Sequence, residues 1–151
     1  MLIRLVWVGR TRDAAAAAWV EEYRKRIGRY GPVEIIEIKD AAGKGAARAA
    51  RESRDLAKAI SGKGLVVALD ETGRGLSSQE FASFLGKTTE ERGEISFLLG
   101  GSEGLDPELL ALARERLALS RMTFTHEMAR VILMEQIYRA FSILKGTPYH
   151  R

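Results

Sequence analysis

Few residues of this 151-residue sequence are of the types that do chemistry. There are two histidines, His126 and His150, and no cysteine, which excludes disulfides and thiolate metal sites. No acidic or histidine cluster has metal-ligand spacing, so no metal is expected. A serine nucleophile elbow is missing as well. The loop Gly100-Gly101-Ser102-Glu103-Gly104 has a physical use, because glycines let backbone groups approach a ligand closely. It lacks the lysine and hydroxyl of a P-loop, and its glycines do not match the dinucleotide-binding spacing. Asp70 after an apolar run would suit a phospho-accepting receiver domain. That chemistry needs an acidic cluster after the first strand, where Gly9-Arg10 stand instead. His126 opens the last helix and either caps it or packs there. His150 lies in a terminal Tyr149-His150-Arg151, joined through Gly146 and Pro148 to that helix. Imidazole titrates near neutral pH and suits proton transfer. The plain alternative is a solvated tail, since termini fray unless tied down.

These residues need a scaffold, and the pattern supplies one. Leu2 to Val8 reads as a buried strand closed by Gly9, too interrupted by Arg4 for a signal peptide. Asp13 caps a helix to about Arg29, with Trp19, Val20, Tyr23 and Ile27 at core-facing spacing. Val33 to Ile38 is a strand whose Glu34 and Glu37 point to partial exposure or an edge. Gly43 to Ser61 is a helix with Lys44, Arg48, Arg51, Arg54 and Lys58 on one face and Ala46, Ala49, Ala50, Leu56, Ala57 and Ile60 opposite. That basic face is either solvated surface or a phosphate-contacting stripe. Leu65 to Leu69 is a central strand. Ser77 with Glu80 forms a capping box for the helix that follows. Ile95 to Leu99 is a fourth strand. Asp106-Pro107 starts a helix through about Arg116, and a short strand follows near Ala118 to Met122. His126 to Lys145 is a helix apolar on nearly every side, in which Glu135 stands four before Arg139. Such a helix must be covered on most sides, one cover being a second subunit.

Strand and helix alternate with short connections, which predicts one α/β domain over residues 1–151, a parallel sheet with helices on both faces. Ligands of such sheets bind beyond the carboxyl ends of strands, here Leu69-Asp70, Gly100 to Gly104 and Leu119 to Phe124. The net charge is +4 and the isoelectric point about 9.6, which suits an anionic partner such as RNA without requiring one. No apolar run reaches the roughly 20 residues that span a bilayer; no membrane association is expected and the cytoplasm is the expected compartment.

The strand ending Val8-Gly9, the segment FLLGGSEGL from Phe97 to Leu105, LSRMTFTHEMARV, EQIYRA and the final YHR together carry a resemblance. It covers the whole chain. The sequence resembles the SPOUT-class ribosomal RNA large subunit methyltransferase H family, which acts on 23S ribosomal RNA. The resemblance implies a C-terminal trefoil knot, a homodimer, and methyl transfer from S-adenosylmethionine to N3 of a pseudouridine, on the large subunit or the assembled ribosome. It implies cofactor contacts at Leu69, Gly100, Leu119, Ser120, Arg121, Met122, Thr123 and Phe124. It also implies a catalytic group from Tyr149, His150 and Arg151 with Arg139. His150 is then the best-matched general base, with Arg139, Arg130 or Arg151 stabilising the developing anion. One departure is Thr125, where the family often has proline. The rival reading is a non-catalytic dimeric RNA-binding protein of the same fold.

Overall fold

The computed structural model describes residues 1–60, 62 and 64–151. Five parallel strands form one sheet in the order β2-β1-β4-β3-β5: β1 (Leu2–Val8), β2 (Val33–Ile38), β3 (Leu65–Gly75), β4 (Glu94–Leu99) and β5 (Glu115–Ala118). Between them run α1 (Ala14–Gly28), α2 (Gly45–Ala59), α3 (Ser78–Arg92), α4 (Pro107–Leu112) and, last, α5 (His126–Lys145). Alternation along β1 divides the core into two layers. Ile3, Leu5 and Trp7 pack with residues of α1, α3 and α5, whereas Val6 and Val8 pack with Leu56 of α2 and Leu109 of α4. Helices therefore cover both faces, as expected of a parallel sheet.

The local signals act as anticipated at most helix starts. Asp13 accepts the Ala16 N–H at 2.9 Å, Asp106 accepts that of Leu109 at 2.9 Å, and the Ser77–Glu80 capping box is complete. Glu34 and Glu37 are exposed on β2, an edge strand.

Several boundaries and faces differ from the expectation. Helix α2 begins at Gly45 and ends at Ala59, not Gly43 to Ser61; Ser61 lies outside the described residues. On that helix Ala46 and Ala57 are exposed, while Glu52 and Ser53 are buried beside Ala49 and Leu56. Helix α4 stops at Leu112 instead of Arg116, and β5 is Glu115–Ala118 instead of 118–122. Pairing with β3 decides this: Leu117 lies opposite both Leu69 and Arg74, so the chain turns extended three residues earlier. Strand β3 itself runs to Gly75, with the segment 70–73 shifted out of register beside β5. Gly73 permits this, because a Cβ there would lie 2.7 Å from the backbone of Arg116 and Leu117. Finally, Trp19 is 50% exposed, while Ala16, Val20, Tyr23 and Ile27 form the buried stripe of α1.

Helix α5 is covered within one chain by the sheet, α1 and α3, which bury Leu133, Met134, Ile137, Ala140 and Phe141. Met128 and Leu144 stay exposed and Val131 and Ile132 half-buried.

Candidate active site

At the carboxyl ends of β3, β4 and β5 the chain leaves a cleft of about 620 Å³. Its walls are the three segments that the strand ends point to: Leu69 to Glu71, Leu99 to Leu105, and Leu117 to Phe124 without Arg121. The glycine loop earns its composition. A Cβ on Gly100 would lie 2.5 Å from the carbonyl carbon of Gly104. Gly101 and Gly104 pair as an antiparallel bridge, with the Gly104 N–H donating to the Gly101 carbonyl at 3.0 Å. Gly104 has φ +74°, the left-handed region that glycine enters without strain. On the opposite wall Ser120 Oγ accepts the Met122 N–H at 2.9 Å, which curls the loop over the cleft. Met122 and Phe124 form an exposed apolar lip, 78% and 38% accessible. Asp70 serves its own turn, accepting the Thr72 N–H at 3.0 Å.

Of the residues carried over as cofactor contacts, Leu69, Gly100, Leu119, Ser120, Met122, Thr123 and Phe124 line this cleft. Arg121 is exposed and does not. Thr125, standing in place of proline, is the N-cap of α5, its hydroxyl accepting the Met128 N–H at 3.3 Å. His126 follows as the first helical residue and borders the cleft.

The tail builds a second cluster. Helix α5 ends on Gly146 with φ +69°, its N–H bonded to Ile143 O and that of Thr147 to Ser142 O, a Schellman closure that turns the chain back. Tyr149 then packs edge-on against Tyr138 at 4.6 Å and donates its hydroxyl to Glu135 at 3.0 Å. The Tyr23 hydroxyl of α1 lies 3.3 Å from the Tyr149 hydroxyl. Glu135 also takes both forks of Arg139, at 3.1 and 2.7 Å, the pair that the spacing foretold. Burial, then the bonds from Tyr23 and Glu135, push the Tyr149 phenol well above its ordinary value, so it is a hydrogen-bond donor at neutral pH. His150 sits 3.1 Å from Arg139 through Nδ1 and 3.0 Å from Gln79 of α3 through Nε2. A guanidinium has donors only, so Nδ1 carries the lone pair and neutral His150 keeps its proton on Nε2. The Gln79 side-chain amide meets that Nε2–H, its oxygen being the acceptor the network requires.

Within one chain none of Arg139, Tyr149, His150 and Arg151 lines the cleft; Arg151 is exposed. Arg130 is fully buried: it donates to Val8 O and to Thr11 Oγ1 and lies 4.8 Å over the Trp7 ring. It fastens α5 to the end of β1.

Sequence reading missed Glu52, a carboxylate with no exposure on α2. Its Oε2 accepts the Ala41 N–H at 3.2 Å and faces Arg48 Nε at 3.5 Å, while Oε1 has no partner among the described residues. A Cβ on Gly101 would lie 3.6 Å from Oε1, so Glu52 backs the glycine loop. The available signal was Arg48 four residues before it. On the basic face, Arg48 and Arg51 bond the carbonyls of Gly43 and Ala42 and hold the loop before α2.

A glycine-shaped cleft at three strand ends of a parallel sheet points to a class. Residues 1–150 match the family model described as "Predicted SPOUT methyltransferase". Two solved structures share the fold: a probable methylase family protein from Haemophilus influenzae (TM-score 0.56, 14% identity, 99% of this chain and 70% of that one) and TrmJ from Z. mobilis (0.56, 17%, 92% and 69%). The order β2-β1-β4-β3-β5 and the looped-out segment beside β5 fit the knot that the resemblance implies.

Curated relatives narrow the class. Proteins named "Ribosomal RNA large subunit methyltransferase H" are 46% identical in Anaeromyxobacter sp. strain K, over the full length of both chains, and 43% identical in Geobacter sp. strain M21, over 99% of both. The chain belongs to the ribosomal RNA large subunit methyltransferase H family of SPOUT methyltransferases.

Proposed function

We propose that this protein methylates N3 of a pseudouridine in 23S ribosomal RNA with S-adenosylmethionine, as a cytoplasmic homodimer acting on the large subunit or the assembled ribosome. The observation that carries the reading is the cleft whose walls coincide with the three segments implied for the cofactor. It fits such a group. Its volume is in the range of cofactor sites, about 300–1,000 Å³, and the missing Cβ of Gly100 lets its backbone close against that of Gly104 to shape the wall. S-adenosylmethionine bound there would supply an activated methyl group. The backbone of Leu69, Gly100 and Leu119 to Phe124 would hold and orient it, with Met122 and Phe124 closing over the mouth.

The N3 imide proton must leave the base. His150 is the group for it, with Arg139, Tyr149 and Arg151 beside it to bind the base and its developing negative charge. The Arg139 bond to Nδ1 sets a condition: His150 takes a proton on Nδ1 only when Arg139 lets go. An arginine that releases the imidazole is then free to face the anion. Dimerisation would cover what one chain leaves open, notably Trp19, Met128 and Leu144. It would also bring one subunit's tail toward the other's cleft, which a single chain does not do.

The deciding experiment is transfer of labelled methyl from S-adenosylmethionine to purified ribosomes lacking the modification, with and without the target pseudouridine, the product nucleoside identified by mass spectrometry. Methyl on N3 only where pseudouridine is present is the expected result. Binding to those ribosomes without transfer would replace the reading with that of a non-catalytic RNA-binding protein.

A further inference from the structure

Beside the cleft lies a smaller cavity of about 190 Å³ that shares Gly101, Ser102 and His126 with it. Arg10 and Arg12 reach it from the β1–α1 connection and Arg48 from α2. Two acids line it, Asp40 and Glu127, and both are engaged. Asp40 serves two of the arginines, 3.3 Å from Arg12 and 3.9 Å from Arg48, and Glu127 accepts the Asp13 N–H at 2.9 Å. Arg10 is exposed and has no ion pair among the described residues. The N-terminus of α5, a 20-residue helix, opens on the same space through His126 and Glu127, and helix N-termini carry partial positive charge.

A further charge stands behind the wall. Val8 lines the cavity, and its carbonyl takes a hydrogen bond from Arg130. Arg130 has no exposure, and among the described residues its Nε has no partner and no carboxylate is within 4.0 Å of it. A guanidinium buried without a counter-ion is unfavourable. Burial pulls its pKa down, opposed only at longer range by Glu127, Glu37 and Asp40. Counting the buried Glu52, which faces Arg48 at 3.5 Å, four arginines and a helix N-terminus meet three acids, and the surplus is positive.

We infer that this cavity is an anion subsite that receives a backbone phosphate of the RNA substrate beside the methyl-transfer cleft. It rests on the RNA reading proposed above. Guanidinium groups from two segments match a phosphate by charge-assisted, forked hydrogen bonds. No Phe, Tyr or Trp lines the cavity to stack a base. Arg12, with its side chain 74% exposed, is free to swing from Asp40 to a ligand. A phosphate held there sets the RNA strand against the rim that the two cavities share.

The test compares the Arg10→Gln/Arg12→Gln double variant with Lys25→Gln/Lys87→Gln, which removes the same charge from α1 and α3. Binding of the full-length dimer to a 23S rRNA stem-loop is measured against salt, and S-adenosylmethionine affinity by calorimetry. The expected result is a salt slope lower by roughly one for the arginine variant, about one per phosphate no longer neutralised, with cofactor affinity unchanged. A slope equal to the control's overturns the subsite. Lost cofactor affinity at an unchanged slope also overturns it, because the arginines would then serve the cofactor's carboxylate. Inorganic pyrophosphate is the RNA-free probe, expected to raise the Tm of the wild type and not of the arginine variant. If the wild type binds no rRNA while that Tm shift persists, the RNA reading falls and the anion site alone survives.

Discussion

The cleft and the tail cluster are shaped in opposite ways. The cleft is built from loops, shaped by glycines that let Gly100 and Gly104 meet and by a segment whose Met122 and Phe124 are exposed. The tail is side chain throughout: Tyr149, Glu135, Arg139, His150 and Gln79 hold one another by hydrogen bonds and ring contacts. A wall shaped by backbone approach tolerates changes in the side chains along it and fails when space is taken away. A network of side chains fails one functional group at a time, and the backbone beneath it is indifferent.

The sharpest separation comes from His150→Ala. It is expected to lower kcat by roughly 10²–10⁴-fold, the usual contribution of a general base, while cofactor affinity measured by calorimetry stays at the wild-type value. Full turnover at neutral pH would remove His150 from proton transfer and with it half of the contrast. Gly100→Ala should do the reverse. Its Cβ meets backbone, not a flexible side chain, so a penalty of about 1–3 kcal/mol in urea unfolding is expected, together with at least a tenfold loss of cofactor affinity, ~1.4 kcal/mol. A variant that binds the cofactor normally would break the claim that the cleft is shaped by backbone approach.

Glu52→Ala probes the support of the glycine loop from behind. It leaves the half-buried Ala41 N–H without its acceptor, and about 1 kcal/mol of stability should go with it. Glu52→Gln keeps an acceptor oxygen and should recover most of that loss; equal destabilisation by both would mean that the negative charge, not the hydrogen bond, is what matters. An effect of similar size is expected from Tyr149→Phe, about 0.5–1.5 kcal/mol for the lost hydrogen bonds, with kcat reduced less than by His150→Ala. This tyrosine also has a pH signature. Its folded-state pKa is raised above the ordinary 10.0, so its contribution is fully present below pH 10.0 and is lost as pH rises above that value. Wild-type stability should therefore fall more steeply than that of Tyr149→Phe in alkaline unfolding titrations; parallel curves would place Tyr149 in a wetter setting.

Much of this was written in local chemistry. Asp13, the Ser77–Glu80 pair, Asp106-Pro107 and Gly146 mark helix ends by hydrogen-bonding rules that act over a few residues. The alternation of strands and helices carried the sheet, and the strand ends carried the cleft. Arg139 with Glu135 was legible from a four-residue spacing. Other features had no local sign. The apolar stripe of α1 slid off Trp19 because a wheel cannot say which edge of a stripe meets the sheet.

The sequence by itself determined the elements, their order, the two-faced sheet and the glycine loop, because each follows from periodicity and conformational preference within a short span. Only the tertiary structure decided that β5 starts at Glu115, since Leu117 had to find Leu69 and Arg74 across the sheet. It also decided that Glu52 and Arg130 are buried charges, that three arginines converge beside the cleft, and that Gln79 meets His150 from 71 positions away. Those are long-range contacts, and their energies depend on neighbours that no window of sequence contains.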